Sequence, residues 1–267
     1  MKRIARSVSL SLAAFREQTK AERAYIGNFW FAILSRIAYN ITFLLFVDAL
    51  FQRVGGIAGY DKNDFLFMYF VSQFGFYVSF NGIFIAMQKL VETVRNGNFD
   101  LLLLKPVPHR SFLYIGGFLP IDLLFNFATV IAIVTPFIHW GELHVTLLSF
   151  ILGVLVWCCG LIICNTLMFA LALPAFKLGD ATDMLNVFYS ITPMSQVPYN
   201  QLPLYMKALS LGLLPQLLLS AATAEVMLDK GGTFAICTSV FAAGIFSLGL
   251  YQFLWRYALR NYTSASS

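Results

Sequence analysis

Residues 146–173 read TLLSFILGVLVWCCGLIICNTLMFALAL, twenty-eight positions without an Asp, Glu, Lys, Arg or His. A helix that crosses the hydrocarbon core of a bilayer needs about 20 predominantly apolar residues. This stretch is long enough to span, and it carries no charge that asks for water. Five further windows share its character, at about 26–50, 65–88, 112–138, 181–197 and 233–255. The 181–197 window is short and polar at both ends, and 112–138 carries Asp122, Asn126 and two prolines. Across the 267 residues, 59% are hydrophobic and 12% charged, against roughly 25% charged in an average soluble domain. No room is left for a soluble catalytic domain. The chain reads as an all-α integral membrane protein whose six transmembrane helices form one domain over 26–258.

The net charge of +5 would suggest nucleic acid in a soluble protein, but here the basic residues fall between the apolar runs and report topology instead. One side holds Lys2, Arg3, Arg6, Arg16, Lys20, Arg23, Lys89, Arg95, Lys105, Arg110, Lys177, Arg256 and Arg260. The other holds Arg53, Lys62, Lys207 and Lys230. The richer side is predicted to be cytoplasmic, with both termini on it. The apolar run after the basic start is too long for a cleaved signal peptide. Within 1–25, Ile4, Val8, Leu12 and Phe15 make one apolar stripe on an otherwise charged helix, which predicts an amphipathic segment lying along the inner membrane surface. Residues 259–267 form a short cytoplasmic tail. Between the last two windows, 198–230 is apolar but broken by Pro203 and Pro215. Two short helices that dip in from outside and return fit this pattern, and such backbone must be covered by protein.

No catalytic constellation stands out. The phosphate-wrapping Gly-x-x-x-x-Gly-Lys-Ser/Thr loop is missing, and Gly231-Gly232-Thr233 lacks its lysine, so energy from ATP would have to come from another chain. His139, Glu142 and His144 match no zinc spacing. No Gly-x-Ser nucleophile loop occurs. Cys158, Cys159, Cys164 and Cys237 lie inside apolar runs and read as packing residues.

The segment 89–111 is more informative. The second helix is predicted to run on through Glu92 and Arg95 and to stop at Asn96-Gly97, a strong turn signal. Asp100 would then cap a short apolar helix through Leu102 and Leu103, which Pro106 ends. Leucines exposed to the cytosol would be a liability unless a partner covered them. Gly97, Asp100, Leu102, Leu103, Lys105, Pro106 and Val107 stand where permease subunits of type 2 ATP-binding-cassette (ABC) exporters of a six-span branch carry Gly-x-Phe/Leu-Asp-x-Leu-Leu-x-Lys/Arg-Pro-Val. The resemblance covers the whole chain. It implies a multi-pass protein of the bacterial inner membrane, paired with a second permease and two cytosolic ATPase subunits that bind ATP and Mg. The segment of Arg95, Asn96, Gly97, Asp100, Leu102, Leu103, Lys105 and Pro106 would dock into the ATPase, and the hairpin at Pro203 and Pro215 would act as the external gate. In that hairpin Leu217-Leu218-Leu219-Ser220-Ala221-Ala222 replaces the aromatic residues and Tyr-Pro of many relatives, so the resemblance carries no substrate.

Polar groups at depth are the last signal. Arg36 lies well inside the first helix, where an unpaired charge costs roughly 2.5–3.5 kcal/mol on insertion scales. Asp122 and Asn126 share a face of the third helix. Gln73, Tyr77 and Asn81 lie on the second among Phe70, Phe74, Phe80 and Phe84. These six are the candidates for a pathway taking an amphipathic or hydrophobic substrate; the competing role is hydrogen bonding between helices. An ion-coupled transporter or channel, the other class in view, would want more ionisable residues in consecutive helices.

Overall fold

The computed structural model describes residues 20, 26–57, 59–104, 109–190 and 197–262, and its regular elements are all helices. We number them α1 (Ile26–Val54), α2 (Lys62–Arg95), α3 (Asn98–Leu104), α4 (His109–Gly117), α5 (Pro120–Val134), α6 (Leu147–Leu178), α7 (Thr182–Ser190), α8 (Leu204–Ser210), α9 (Leu218–Leu228) and α10 (Thr233–Asn261). Five of them, α1, α2, α5 with its 3-10 extension to Phe137, α6 and α10, are long and apolar enough to cross a membrane. The stripe expected within 1–25 lies outside the described residues, apart from Lys20 in helical conformation.

One of the six windows differs from expectation and another is described only in part. The 181–197 window holds the nine residues of α7, and 191–196 lie outside the described residues. The 112–138 window is not one helix. It breaks at Phe118-Leu119, where Pro120 opens α5 and holds Leu119 out of the helical region at φ −108° and ψ 87°, as the ring of a following proline does.

Local chemistry sets the other ends. Asp61 and Asp64 form a reciprocal capping box at the start of α2, and Thr146 and Ser149 do the same for α6. The second helix stops at Asn96, and Gly97 turns the chain at φ +71°, a left-handed value that glycine adopts without steric cost. The following helix opens at Asn98, so Asp100 lies inside its first turn and does not cap it. The reason is that the Gly97 turn already redirects the chain three residues earlier than the Asp100 signal suggested.

The most enclosed element is the short one. Every residue from Pro215 to Leu228 is buried, because α9 is wedged between α2 and α6. Glycines make the room. A Cβ on Gly75 would stand 2.5 Å from the Leu219 carbonyl oxygen, one on Gly153 2.3 Å from Met227 Cγ, and one on Gly160 3.0 Å from Leu219 Cδ2. Small residues at close helix contacts are the usual packing device in lipid, where apolar surface gains nothing from leaving the acyl chains. Along the other side of α6, Gly244 of α10 admits Cys159, and the Thr166 hydroxyl donates to the Ser247 carbonyl (3.2 Å). Cys159 thus packs as the sequence suggested, and all four cysteines are free.

Candidate functional site

The two ends of the bundle are chemically distinct. One joins the ends of α2, α6 and α10 with the start of α4, and gathers Lys89, Arg95, Arg110, Lys177, Arg256 and Arg260. At the other, Lys62 pairs with Asp48 (2.5 Å) and Lys230 with Asp64 (2.5 Å).

At the basic end, α3 carries seven residues with two faces. Phe99 and Leu102 are buried in the chain's own core, at 0% and 4% exposure, while Leu101 and Leu104 are 58% and 81% exposed. The outward leucines are therefore Leu101 and Leu104, whereas of the two leucines singled out in the sequence Leu102 is buried and Leu103 packs partly against the same core. The i, i+3 spacing from Phe99 carried that information, since one large aromatic anchors a face. Lys105 and Pro106 lie outside the described residues. Arg95 reaches the Asp180 carboxylate (3.3 Å), and Asp180 also accepts from the Thr182 hydroxyl (2.6 Å) and backbone N–H (2.9 Å) at the start of α7. Those two bonds, with Arg95 adding to them, hold the Asp180 carboxyl down at about 2.

Three of the six candidate pathway residues meet. Arg36 donates to Asp122 (2.6 Å) and the Asn126 amide donates to the same carboxylate (3.0 Å), tying α1 to α5. The cluster continues through Asn40, which donates to the Arg36 carbonyl (2.8 Å) and accepts from the Tyr69 hydroxyl (2.9 Å) of α2. Both ions are about four-fifths buried, so the charge that looked costly in α1 is neutralised by one on α5, 86 residues away in sequence. Gln73, Tyr77 and Asn81 follow Tyr69 at four-residue steps along α2 and are buried. Beside them Phe76, Phe80 and Phe84 stack in series and, with Met168, Phe188 and Gln216, line a narrow cleft.

Asn81 is the anomaly of this group. It is 0% exposed, and among the described residues neither its Oδ1 nor its Nδ2 has a partner, inside a π-helical segment of α2 at Ser79–Phe84. An amide enclosed in this way costs about 1–3 kcal/mol. Asn81→Leu, similar in volume and without that cost, is expected to raise stability by about 1 kcal/mol, read as a higher unfolding midpoint in detergent. A lower midpoint would mean the amide is paired.

At the opposite end lies a carboxyl that sequence reasoning missed. Glu225 in α9 is 0% exposed, and its Oε2 accepts from the Tyr60 hydroxyl (2.8 Å) and the Asn200 backbone N–H (2.8 Å). Burial first, and then Glu225, push the Tyr60 phenol above its ordinary range, so it keeps the proton that it donates to Glu225. Lys207 donates to the Asn200 carbonyl (3.0 Å), and the Tyr199 and Ser210 hydroxyls meet at 3.0 Å. Pro203 stands at the N-cap of α8 and Pro215 is buried ahead of α9. Glu225 thus gathers the loop after α1, the 3-10 turn Tyr199–Gln201 and α9 around one acceptor.

Comparison with known proteins finds one family. No curated protein and no solved structure matches the chain. A family model described as ABC-2 family transporter protein matches residues 37–266, the span holding α2 to α10 and most of α1, and the chain accordingly belongs to the ABC-2 family of transporter membrane components.

Proposed function

We propose that the chain is the six-span permease of an ATP-driven exporter in a bacterial inner membrane, with its basic end and both termini in the cytoplasm. The fifth of its six spans would be the 181–197 window, of which α7 is the described part. Two cytosolic ATPase subunits bind ATP and Mg, and a second permease, the same or similar, completes the complex. The single observation that carries this reading is the pair Leu101 and Leu104, exposed side by side on a short helix at the basic end. Exposed leucines on a fixed helix are what a docking groove would take up. The buried stretch 215–228 supports a re-entrant outer hairpin, held by Glu225, that serves as the external gate with Pro203 and Pro215 at its bends. The Arg36–Asp122–Asn126 cluster and the phenylalanine-lined cleft supply polar and apolar contacts along the path of an amphipathic or hydrophobic substrate.

The test uses the outward face alone. Each buried leucine in an interface is worth roughly 1.5–3 kcal/mol, so Leu101→Glu with Leu104→Glu should weaken ATPase binding by roughly a hundredfold or more. The chain should still insert and fold, because both side chains point away from its core. The ATPase should then fail to co-purify. An intact, stoichiometric complex would remove the docking assignment.

A further inference from the structure

The docking helix hangs from a single glycine turn on one side, and Gly97 at φ +71° is a poor lever. What ties α3 to the rest of the molecule is a ring cluster. Phe99, 0% exposed, meets Phe176 near the end of α6 edge-on (5.3 Å, 89°) and Tyr262 just past α10 edge-on (5.0 Å, 72°). Phe176 and Tyr262 meet each other at 6.0 Å and 82°. Each pair has the edge-to-face arrangement that ring quadrupoles favour. The Tyr262 hydroxyl is buried with no hydrogen-bond partner among the described residues, and burial, with Asp100 of α3 adding to it, raises the phenol above its usual range. The other tie at this end, Arg95 to Asp180, is half exposed, and an ion pair in that setting contributes little.

We propose that Phe99, Phe176 and Tyr262 form a clasp that delivers movement of the ATPase-facing helix to the ends of α6 and α10, with Tyr262 as its positioning residue. This deepens the docking reading and rests on it. The route continues physically. Phe176 sits in the last turn of α6, Ala175–Leu178, after turn residues Leu173-Pro174 that interrupt the 26-residue run Leu147–Ala172, itself roughly 39 Å long at 1.5 Å per residue. The far end of that run holds the outer hairpin, since the Ser149 hydroxyl donates to the Met227 carbonyl (2.8 Å) and Gly153 lies against Met227. A push on Phe99 therefore has a route to α9 through α6 and two packed contacts, beside the contact that α3 makes with the end of α2.

The experiment uses the full complex of this chain with the ATPase that co-purifies with it, in lipid nanodiscs. Spin labels are placed at Val54 and Leu204, both exposed at the outer end, with the four native cysteines replaced. The distance between labels is measured without nucleotide and after trapping with Mg-ATP and vanadate. The expected result is a shift on trapping in the parent. Tyr262→Phe, which keeps the ring, preserves it. Tyr262→Ala abolishes it while ATP hydrolysis and complex assembly persist. Phe176→Leu, which keeps apolar volume without the ring, is the second variant should Tyr262→Ala fail to assemble, and it too should lose the shift. A full shift in either assembled variant overturns the clasp. Failure of the docking reading looks different: the Leu101→Glu, Leu104→Glu complex stays intact, whereas the clasp is judged on the label distance alone.

Discussion

Glu225→Ala is expected to lower stability by about 3–5 kcal/mol, among the largest effects of any single side chain in this protein. The carboxyl is fully enclosed and accepts from a phenol and a backbone amide that belong to two other segments, 165 and 25 residues away in sequence. Removing it leaves two buried donors with nothing to accept from them, at about 1–3 kcal/mol each, and opens a cavity as well. The consequence spreads outward. Asn200 loses a partner for its N–H while Lys207 still holds its carbonyl, and Lys230, over the Tyr60 ring at 5.6 Å and paired with Asp64, rests on a loosened platform. Glu225→Gln retains an acceptor and should cost about 1 kcal/mol. Glu225→Leu combined with Tyr60→Phe should recover part of the loss, because donor and acceptor then leave together. Thermal unfolding in detergent, followed by tryptophan fluorescence, reads all three. If Glu225→Ala melts with the parent, the carboxyl does not hold the hairpin.

That site was invisible in the sequence for a physical reason. Thr223-Ala224-Glu225-Val226 reads like the polar close of an apolar stretch, followed by Asp229, Lys230 and two glycines. Only the tertiary arrangement encloses it, and its partner Tyr60 lies in another loop. Arg36 and Asp122 show the intermediate case. Each is conspicuous as a charge in an apolar window, yet their pairing depends on α1 lying beside α5, which periodicity does not specify. The long spans were plain from composition because lipid imposes its rule residue by residue. The nature of α9 was half legible: prolines and polar residues marked it as too short to cross, while the glycines that admit it, Gly75, Gly153 and Gly160, are scattered over two other helices. The seven residues of α3 are too few to define a face by themselves, so the choice between Leu101–Leu104 and Leu102–Leu103 needed Phe99's position in the core.

Gly75→Ala carries the second large expectation, and it tests how α9 is seated. A Cβ at that position would lie 2.5 Å from the Leu219 carbonyl oxygen, 2.8 Å from its Cβ and 3.1 Å from its carbonyl carbon. Two of those three atoms are backbone, so no rotamer change relieves the overlap. The two helices must separate, at about 1–3 kcal/mol for one methyl and more for a larger side chain. Gly82, seven residues further along α2, is the matched control: an added Cβ there has nothing within 4 Å. Gly82→Ala should be neutral or gain up to about 1 kcal/mol from helix propensity. Opposite signs for the same substitution on one helix would place the effect in the α2–α9 contact. Separation there also strains Gln216, whose amide donates to Ser79 across the same contact (3.1 Å), so Gly75→Ala should loosen the seat of the hairpin as well as lower the melting midpoint. Equal midpoints for the two variants would show that α9 is not held by close backbone approach.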